Sequence, residues 1–189
     1  MSEAQKQEYL DIIEQEALRL SYMATNVLNL TKIENQSILT DVTEYNLSEQ
    51  LRNCVLILED KWTKKKIELK LEFGEYNISG NSELLKQVWI NLIDNAVKYS
   101  PDYGTVEIII AESSEFMTVS VINYGSEIAA ENLDKIFNKF YQEDESHSSE
   151  GNGVGLAIVK KITELHSGTV TVQSANEQTV FTVKIPKNI

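Results

Sequence analysis

Asn91, Asn95 and Lys98 stand at i, i+4 and i+7 of a run free of Gly and Pro, so on a helix they share one face. Two carboxamide oxygens one turn apart suit a hard divalent cation, and a lysine one turn further on can meet the phosphates such a cation bridges. An ordinary solvated face would carry the same residues without any function. A second candidate is Gly151-Asn152-Gly153-Val154-Gly155-Leu156, which opens the apolar pattern Ala157-Ile158-Val159. Its glycines allow close backbone approach, and free N–H groups at a helix start can cradle an anion. A flexible loop ending in a helix cap is the plainer reading. The third candidate is Asn123-Tyr124-Gly125-Ser126-Glu127-Ile128, directly after an alternating run. Asn at a strand end can hydrogen-bond a base edge and Gly125 can leave room for a ring, although a tight turn explains the segment equally well.

These residues need elements to position them. From Glu3 to about Asn35 there is no Gly or Pro, and Leu10, Ile13, Ala17, Leu20, Ala24 and Val27 recur in steps of three and four. That is a coiled-coil seam on one long amphipathic helix, which needs a partner helix from this chain or another copy; packing on the following domain is the alternative. An extended segment over Ile38–Tyr45 leads to Asn46 and Glu49, spaced as a capping box for a helix running to about Lys65. Ile67, Leu69, Leu71 and Phe73 alternate with charges as a strand does, and a loop with Gly74 and Gly80 follows. Asn81 can cap a helix to Tyr99, broken by Ser100-Pro101. Strands are expected over Val106–Ala111, Phe116–Ile122, Thr169–Gln173 and Thr179–Ile185, with a short helix near Glu131–Phe137 and a long one over Val154–Leu165. The order predicts an α+β fold: a two-layer α/β sandwich with helices on one face of a mixed, mostly antiparallel sheet. A dinucleotide fold would place the glycine run after an early parallel strand, and here it follows a late polar loop.

Composition narrows the partners. The 189 residues carry 29 acidic against 17 basic side chains, a net charge of −12, which repels nucleic acid and anionic lipid. A bound nucleotide must then be held by local N–H groups, a metal ion and a few side chains, so magnesium is expected. The lone Cys54 lies in an apolar run and reads as core, and His147 and His166 with one thiol make no zinc set. No run is long and apolar enough to span a membrane, and the amino terminus is charged where a secretory signal is apolar, so direct membrane contact is not expected.

Taken together and in order, QVWINLIDNAVKYS, the Asn123 segment, IFNKFY and GNGVGLAIVKKITELHSG resemble the four motifs of the catalytic domain of bacterial sensor histidine kinases, within the superfamily of gyrase, Hsp90 chaperones and MutL proteins. The resemblance covers about Leu39 to the end and implies the GHKL (Bergerat) ATPase fold over 38–189. Residues 1–37 resemble the second helix of the family's dimerisation hairpin. It implies that Asn95, helped by Asn91, coordinates magnesium on ATP, with Lys98 on a phosphate and Tyr99 lining the pocket. Asn123, Gly125 and Ile128 would form the base site. Gly151, Gly153, Val154, Gly155 and Leu156 would anchor a lid over about Gln142–Asn152 and present N–H groups to phosphate. The implied activity transfers the ATP γ-phosphoryl group to a histidine of a homodimer for relay to a response regulator, in the cytoplasmic portion of a membrane-anchored sensor.

Three departures stand out. Asn123 replaces the family's usual Asp, Glu127 replaces its second glycine, and Gln142 and His147 stand where arginines are common. Relatives that hydrolyse ATP have Glu where this chain has Asn91, and an amide cannot take a proton from water at neutral pH, so transfer is favoured over hydrolysis. The family's acceptor histidine would lie upstream of Glu3. His166, at a helix end before Ser167-Gly168, reads as structural, and His147 as a solvated lid residue. This fragment alone is expected not to phosphorylate itself. A nucleotide-binding regulatory module without kinase activity is the alternative.

Overall fold

The computed structural model describes residues 2–142 and 153–187. Helix α1 (Glu3–Glu34) starts at a Ser2/Gln5 capping box. Its last turns dock on the domain through buried Leu30 and Ile33 and a Lys139–Glu34 ion pair, whereas Leu10, Ile13 and Leu20 of the predicted seam stay exposed. The stripe is thus only partly covered, at its carboxyl end.

Strand β1 (Thr43–Asn46) is shorter than the extended run read from the sequence, and leads into α2 (Leu47–Ile57) and α3 (Glu59–Lys64). The single helix expected to Lys65 is two helices. Buried Leu58 leaves helical geometry at φ −98°, ψ 13°, and Val55 O accepts both the Leu58 N–H at 3.1 Å and Trp62 Nε1 at 3.0 Å. Asn46 caps α2 by accepting the Glu49 N–H at 2.8 Å, but its amide donates to Glu75 and the reciprocal Glu49 arm is absent among the described residues. Next come β2 (Glu68–Leu71) and β3 (Asn77–Gly80), a strand where only a loop was expected, because four residues are too few to show a period. It pairs antiparallel with β1.

Helix α4 (Ser82–Tyr99) begins at Asn81, whose Oδ1 accepts the Leu84 N–H at 3.0 Å. It buries Leu85, Val88, Trp89, Leu92, Ile93 and Ala96, so Asn91, Asn95 and Lys98 fall off the core face as their spacing requires. Strands β4 (Thr105–Glu112) and β5 (Phe116–Tyr124) form a hairpin. The helix expected near Glu131–Phe137 is a 3-10 turn at Ala130–Asn132 followed by isolated turns. Helix α5 (Gly155–Leu165) and the hairpin β6 (Thr169–Ala175) and β7 (Gln178–Pro186) complete the chain; Asn176 and Glu177 both take left-handed φ in the hairpin's two-residue turn.

The main sheet runs β2-β4-β5-β7-β6, antiparallel except for β2 beside β4. Alternate residues of β4, β5 and β7, such as Ile108, Val119, Val121, Phe181 and Val183, are buried beneath the layer of α2, α4 and α5. The expected α+β sandwich is therefore present.

His166 closes this core. It is wholly buried, its Nε2 accepts the Asn81 N–H at 3.1 Å, and its Nδ1 lies 2.8 Å from Ile162 O. Those partners require a neutral ring protonated at Nδ1. Gly80 makes the room, since a Cβ there would lie 3.2 Å from His166 Cδ2. Burial pushes the imidazole below its ordinary value. The unfolded chain therefore binds the proton first, so His166 costs nothing above about pH 6.5 and stability falls as pH drops below it. Chemical denaturation at pH 7.5 and 5.5 checks this: the midpoint should be lower at 5.5 for the wild-type chain, and an unchanged midpoint would contradict the neutral, buried ring.

Candidate nucleotide-binding site

Helix α4 is the spine of the site. Asn91 Nδ2 donates to Gln87 O at 2.8 Å, which fixes the amide, and its Oδ1 lies against the start of α5, 2.7 Å from where a Cβ on Gly155 would sit. Only glycine lets that helix start approach so closely. Asn95, one turn on, is half-buried and its side chain makes no hydrogen bond to any described residue. Lys98 is half-buried with Nζ 4.7 Å from the centre of the exposed Tyr99 ring. The end of the helix is fastened from below: Lys65 Nζ donates to Val97 O, Lys98 O and Ser100 O at 3.1, 2.6 and 2.9 Å. A cation there meets carbonyls without helical partners and the negative end of the helix dipole.

The second wall is the end of β5. Asn123 continues the inward row of Val119 and Val121, 3% exposed, opposite Thr179 of β7. Its Nδ2 is buried without a partner among the described residues. Gly125 follows at φ +135°, and a Cβ there would lie 2.7 Å from Pro101 Cδ, so this glycine brings the end of β5 against the break after α4. Glu127, where a glycine was the expectation, ties two loops together. Its Oε1 accepts the Glu177 N–H at 2.6 Å while the Gly125 N–H donates to Glu177 O at 2.8 Å. The base-side loop is clamped to the β6–β7 turn. Ser174 Oγ accepts the Ile128 N–H at 2.9 Å and lies 2.7 Å from Thr179 Oγ1, which donates to Ser126 O at 3.3 Å. Thr179 and Ser174 give no signal in the sequence because they lie in strands some 50 residues beyond Asn123, and only the β5–β7 register brings Thr179 opposite it.

The third wall is the glycine run. Gly153 has φ +64°, and a Cβ would meet the backbone of Phe140 and Tyr141 at 2.7 Å. Val154 is fully buried and Leu156 half-buried, and among the described residues no side chain caps α5. Gly151, His147 and most of the expected lid, 143–152, lie outside the described residues; Gln142 is exposed. Two glycine contacts thus hold this run and the base loop against α4, one at Asn91 and one just past Tyr99, with Asn95 between them on the helix.

A model for histidine kinase-, DNA gyrase B- and HSP90-like ATPases matches residues 80–189. The chain belongs to this family. The heme sensor protein HssS of Staphylococcus saprophyticus is 32% identical over 188 residues, which span 97% of this chain and 40% of HssS. Sensor histidine kinase CusS of Escherichia coli is 30% identical over 91% of this chain and 36% of its own length. The chain therefore spans about two fifths of the curated relatives it matches. Among solved structures, the nucleotide-free catalytic domain of histidine kinase ThkA superposes with a TM-score of 0.70 at 30% identity, covering 78% of this chain and 97% of that one. ThkA in complex with response regulator protein TrrA gives 0.80 at 27% identity, over 100% of this chain and 53% of that one. The sandwich is accordingly the ATP-binding GHKL domain of the histidine-kinase type.

The site fits such a ligand on its own terms. A buried donor without a partner costs about 1–3 kcal/mol unless something completes it, and such groups gather at functional sites. The described residues hold no cluster of three or more His, Cys, Asp or Glu for a metal. The amide oxygens of Asn91 and Asn95 are hard oxygen donors of the kind magnesium accepts, and nucleotide phosphates and water would complete its shell. Among the described residues no helix is long and apolar enough to cross a membrane.

Proposed function

We propose that the chain binds Mg-ATP across α4 and, in the longer protein, transfers the γ-phosphoryl group to a histidine of a dimerisation hairpin whose second helix is α1. The phosphoryl group then passes to an aspartate of a response regulator. The observation that carries this is the convergence on α4 of Asn91 against Gly155 at one end and Gly125 past Tyr99 at the other, with the Asn95 side chain between them bonded to no described residue. Magnesium, when bound, neutralises phosphate charge. Asn95 and Asn91 would supply its protein oxygens, Lys98 would contact phosphate, and Tyr99, Asn123, Gly125 and Ile128 would line the base and sugar side. Gly151, Gly153, Val154, Gly155 and Leu156 would shape the phosphate side, where backbone N–H groups and the α5 dipole favour anions.

Asn91 decides between chemistries. With Nδ2 committed to Gln87 O, its remaining polar atom is a neutral carbonyl oxygen that cannot deprotonate water. Positioning and charge stabilisation do most of the work of phosphoryl transfer, and an ordered acceptor uses both. The same reading makes α1 a dimer element, with its exposed Leu10, Ile13 and Leu20 available to a partner helix, and puts this region on the cytoplasmic side of an anchored sensor.

Incubation with γ-labelled ATP tests the proposal. The chain alone should remain unlabelled, and a separately supplied hairpin bearing the histidine should acquire acid-labile label. Label on His147 or His166 would overturn the assignment of the acceptor to another segment. Failure to label any supplied hairpin, with ATP binding intact, would leave a nucleotide-dependent regulatory module instead.

A further inference from the structure

Asn123 lies 3% exposed at the end of β5, and no hydrogen bond holds either end of its amide among the described residues. Its polar neighbours are committed elsewhere. Thr179 Oγ1 donates to Ser126 O, and Ser174 Oγ serves Ile128 N–H and Thr179. The rest of the row is apolar, with Val106 on β4 in register with Asn123 and Val121 two residues before it. Among the described residues, nothing therefore selects one of the two orientations of this amide.

That freedom has chemical content. A primary amide presents a donor and an acceptor side by side, and half a turn about its last bond exchanges them. The edge of a 6-aminopurine offers an amino donor beside the ring N1 acceptor, matched by Oδ1 and Nδ2 in one orientation. The edge of a 6-oxopurine offers the reverse, an O6 acceptor beside the N1–H donor, matched when the amide turns over. A carboxylate offers acceptors only, so it can receive the amino group but sets two lone-pair-bearing oxygens against each other when O6 takes its place.

We propose that Asn123 makes the base subsite of this chain accept 6-oxopurine nucleoside triphosphates as well as ATP, where an aspartate would admit ATP alone. The proposal rests on the nucleotide-binding reading above and specifies the substrate class of that site.

Competition against a fluorescent ADP analogue, with magnesium and the full chain, tests it using inosine triphosphate, which carries the 6-oxo edge without a 2-amino group. Wild type should bind ITP within about tenfold of ATP, and Asn123→Asp should widen the gap by a further tenfold or more, the range that one bidentate base contact provides. An ATP preference above about 100-fold in wild type, or an unchanged ratio in Asn123→Asp, overturns the proposal. Should a buried carboxylate prevent folding, Asn123→Leu decides: it should weaken ATP and ITP by the same factor, and loss of ATP affinity alone would refute a two-way reading. Failure of ATP, ADP and ITP all to bind would remove the nucleotide site itself, an outcome distinct from ATP binding with ITP excluded.

Discussion

Replacing Asn95 by alanine should abolish magnesium-dependent binding of ATP and ADP while leaving the fold nearly untouched. Both halves of the expectation come from one observation. The Asn95 side chain is half-buried on α4 yet bonded to no described residue, so its truncation breaks no hydrogen bond to a described residue and leaves the core face of the helix intact. A helical surface change of this kind alters stability by no more than about 0.5 kcal/mol, and alanine is the better helix former. Binding is another matter, because a lost oxygen ligand leaves phosphate charge uncompensated in a chain whose net charge is already −12. Calorimetric titration with and without magnesium should show affinity falling by more than about 100-fold, comparable to the loss of a metal-site residue elsewhere. A mutant that binds Mg-ADP as the wild type does, with the same unfolding midpoint, would remove Asn95 from the site.

Gly153→Ala should also cost nucleotide affinity, by a different route. At φ +64° an L side chain is strained, and the added Cβ would lie 2.7 Å from Phe140 C and Tyr141 O and 2.9 Å from Phe140 Cα. These are backbone atoms, and the Phe140 N–H donates to Gly153 O at 2.8 Å, so the two segments must part. Strain of this kind is worth about 1–3 kcal/mol. Because α4 and the sheet do not depend on that contact, the loss should be local. Hydrogen exchange should rise around Phe140–Tyr141 while the amides of α4 stay protected, and ATP should bind at least tenfold more weakly, about the factor that 1.4 kcal/mol confers. Gly74→Ala is the control, since nothing lies within 4 Å of its Cβ position. Equal effects of the two substitutions would show that glycine content, and not this contact, matters.

How much of this was legible in the sequence depended on the length scale of each signal. The face of α4 was readable because eighteen residues give a helical period time to declare itself, and Asn91, Asn95 and Lys98 then had to fall together off the core. The strand β3 was not, since Asn77-Ile78-Ser79-Gly80 offers two buried positions and owes its form to pairing with β1. The break at Leu58 was hidden because the residue is apolar in a continuing apolar pattern; around it the Leu58 N–H and Trp62 Nε1 both donate to Val55 O, bonds that a periodic pattern does not reveal. Within the candidate site, local spacing exposed the glycines and the amides, whereas Thr179 and Ser174 became visible only through strand register. Glu127 looked like a defect in a glycine motif. Its bond to Glu177 makes it a fastening, which no alignment of motif letters would disclose.

That fastening changes what can be attached to this protein, and where. The turn at Asn176-Glu177 is exposed, joins two strands late in the chain, and would ordinarily be chosen for a peptide tag or a fluorophore. Yet Glu177 holds the loop through both its N–H and its carbonyl, so cargo inserted there would pull on the segment from Gly125 to Glu127 and thence on Asn123. A label meant to be passive would become a gauge of the base site. The opposite hairpin turn, Glu112–Glu115 between β4 and β5, bonds to Lys187 at the far end of the sheet from that loop, which makes it the safer attachment point.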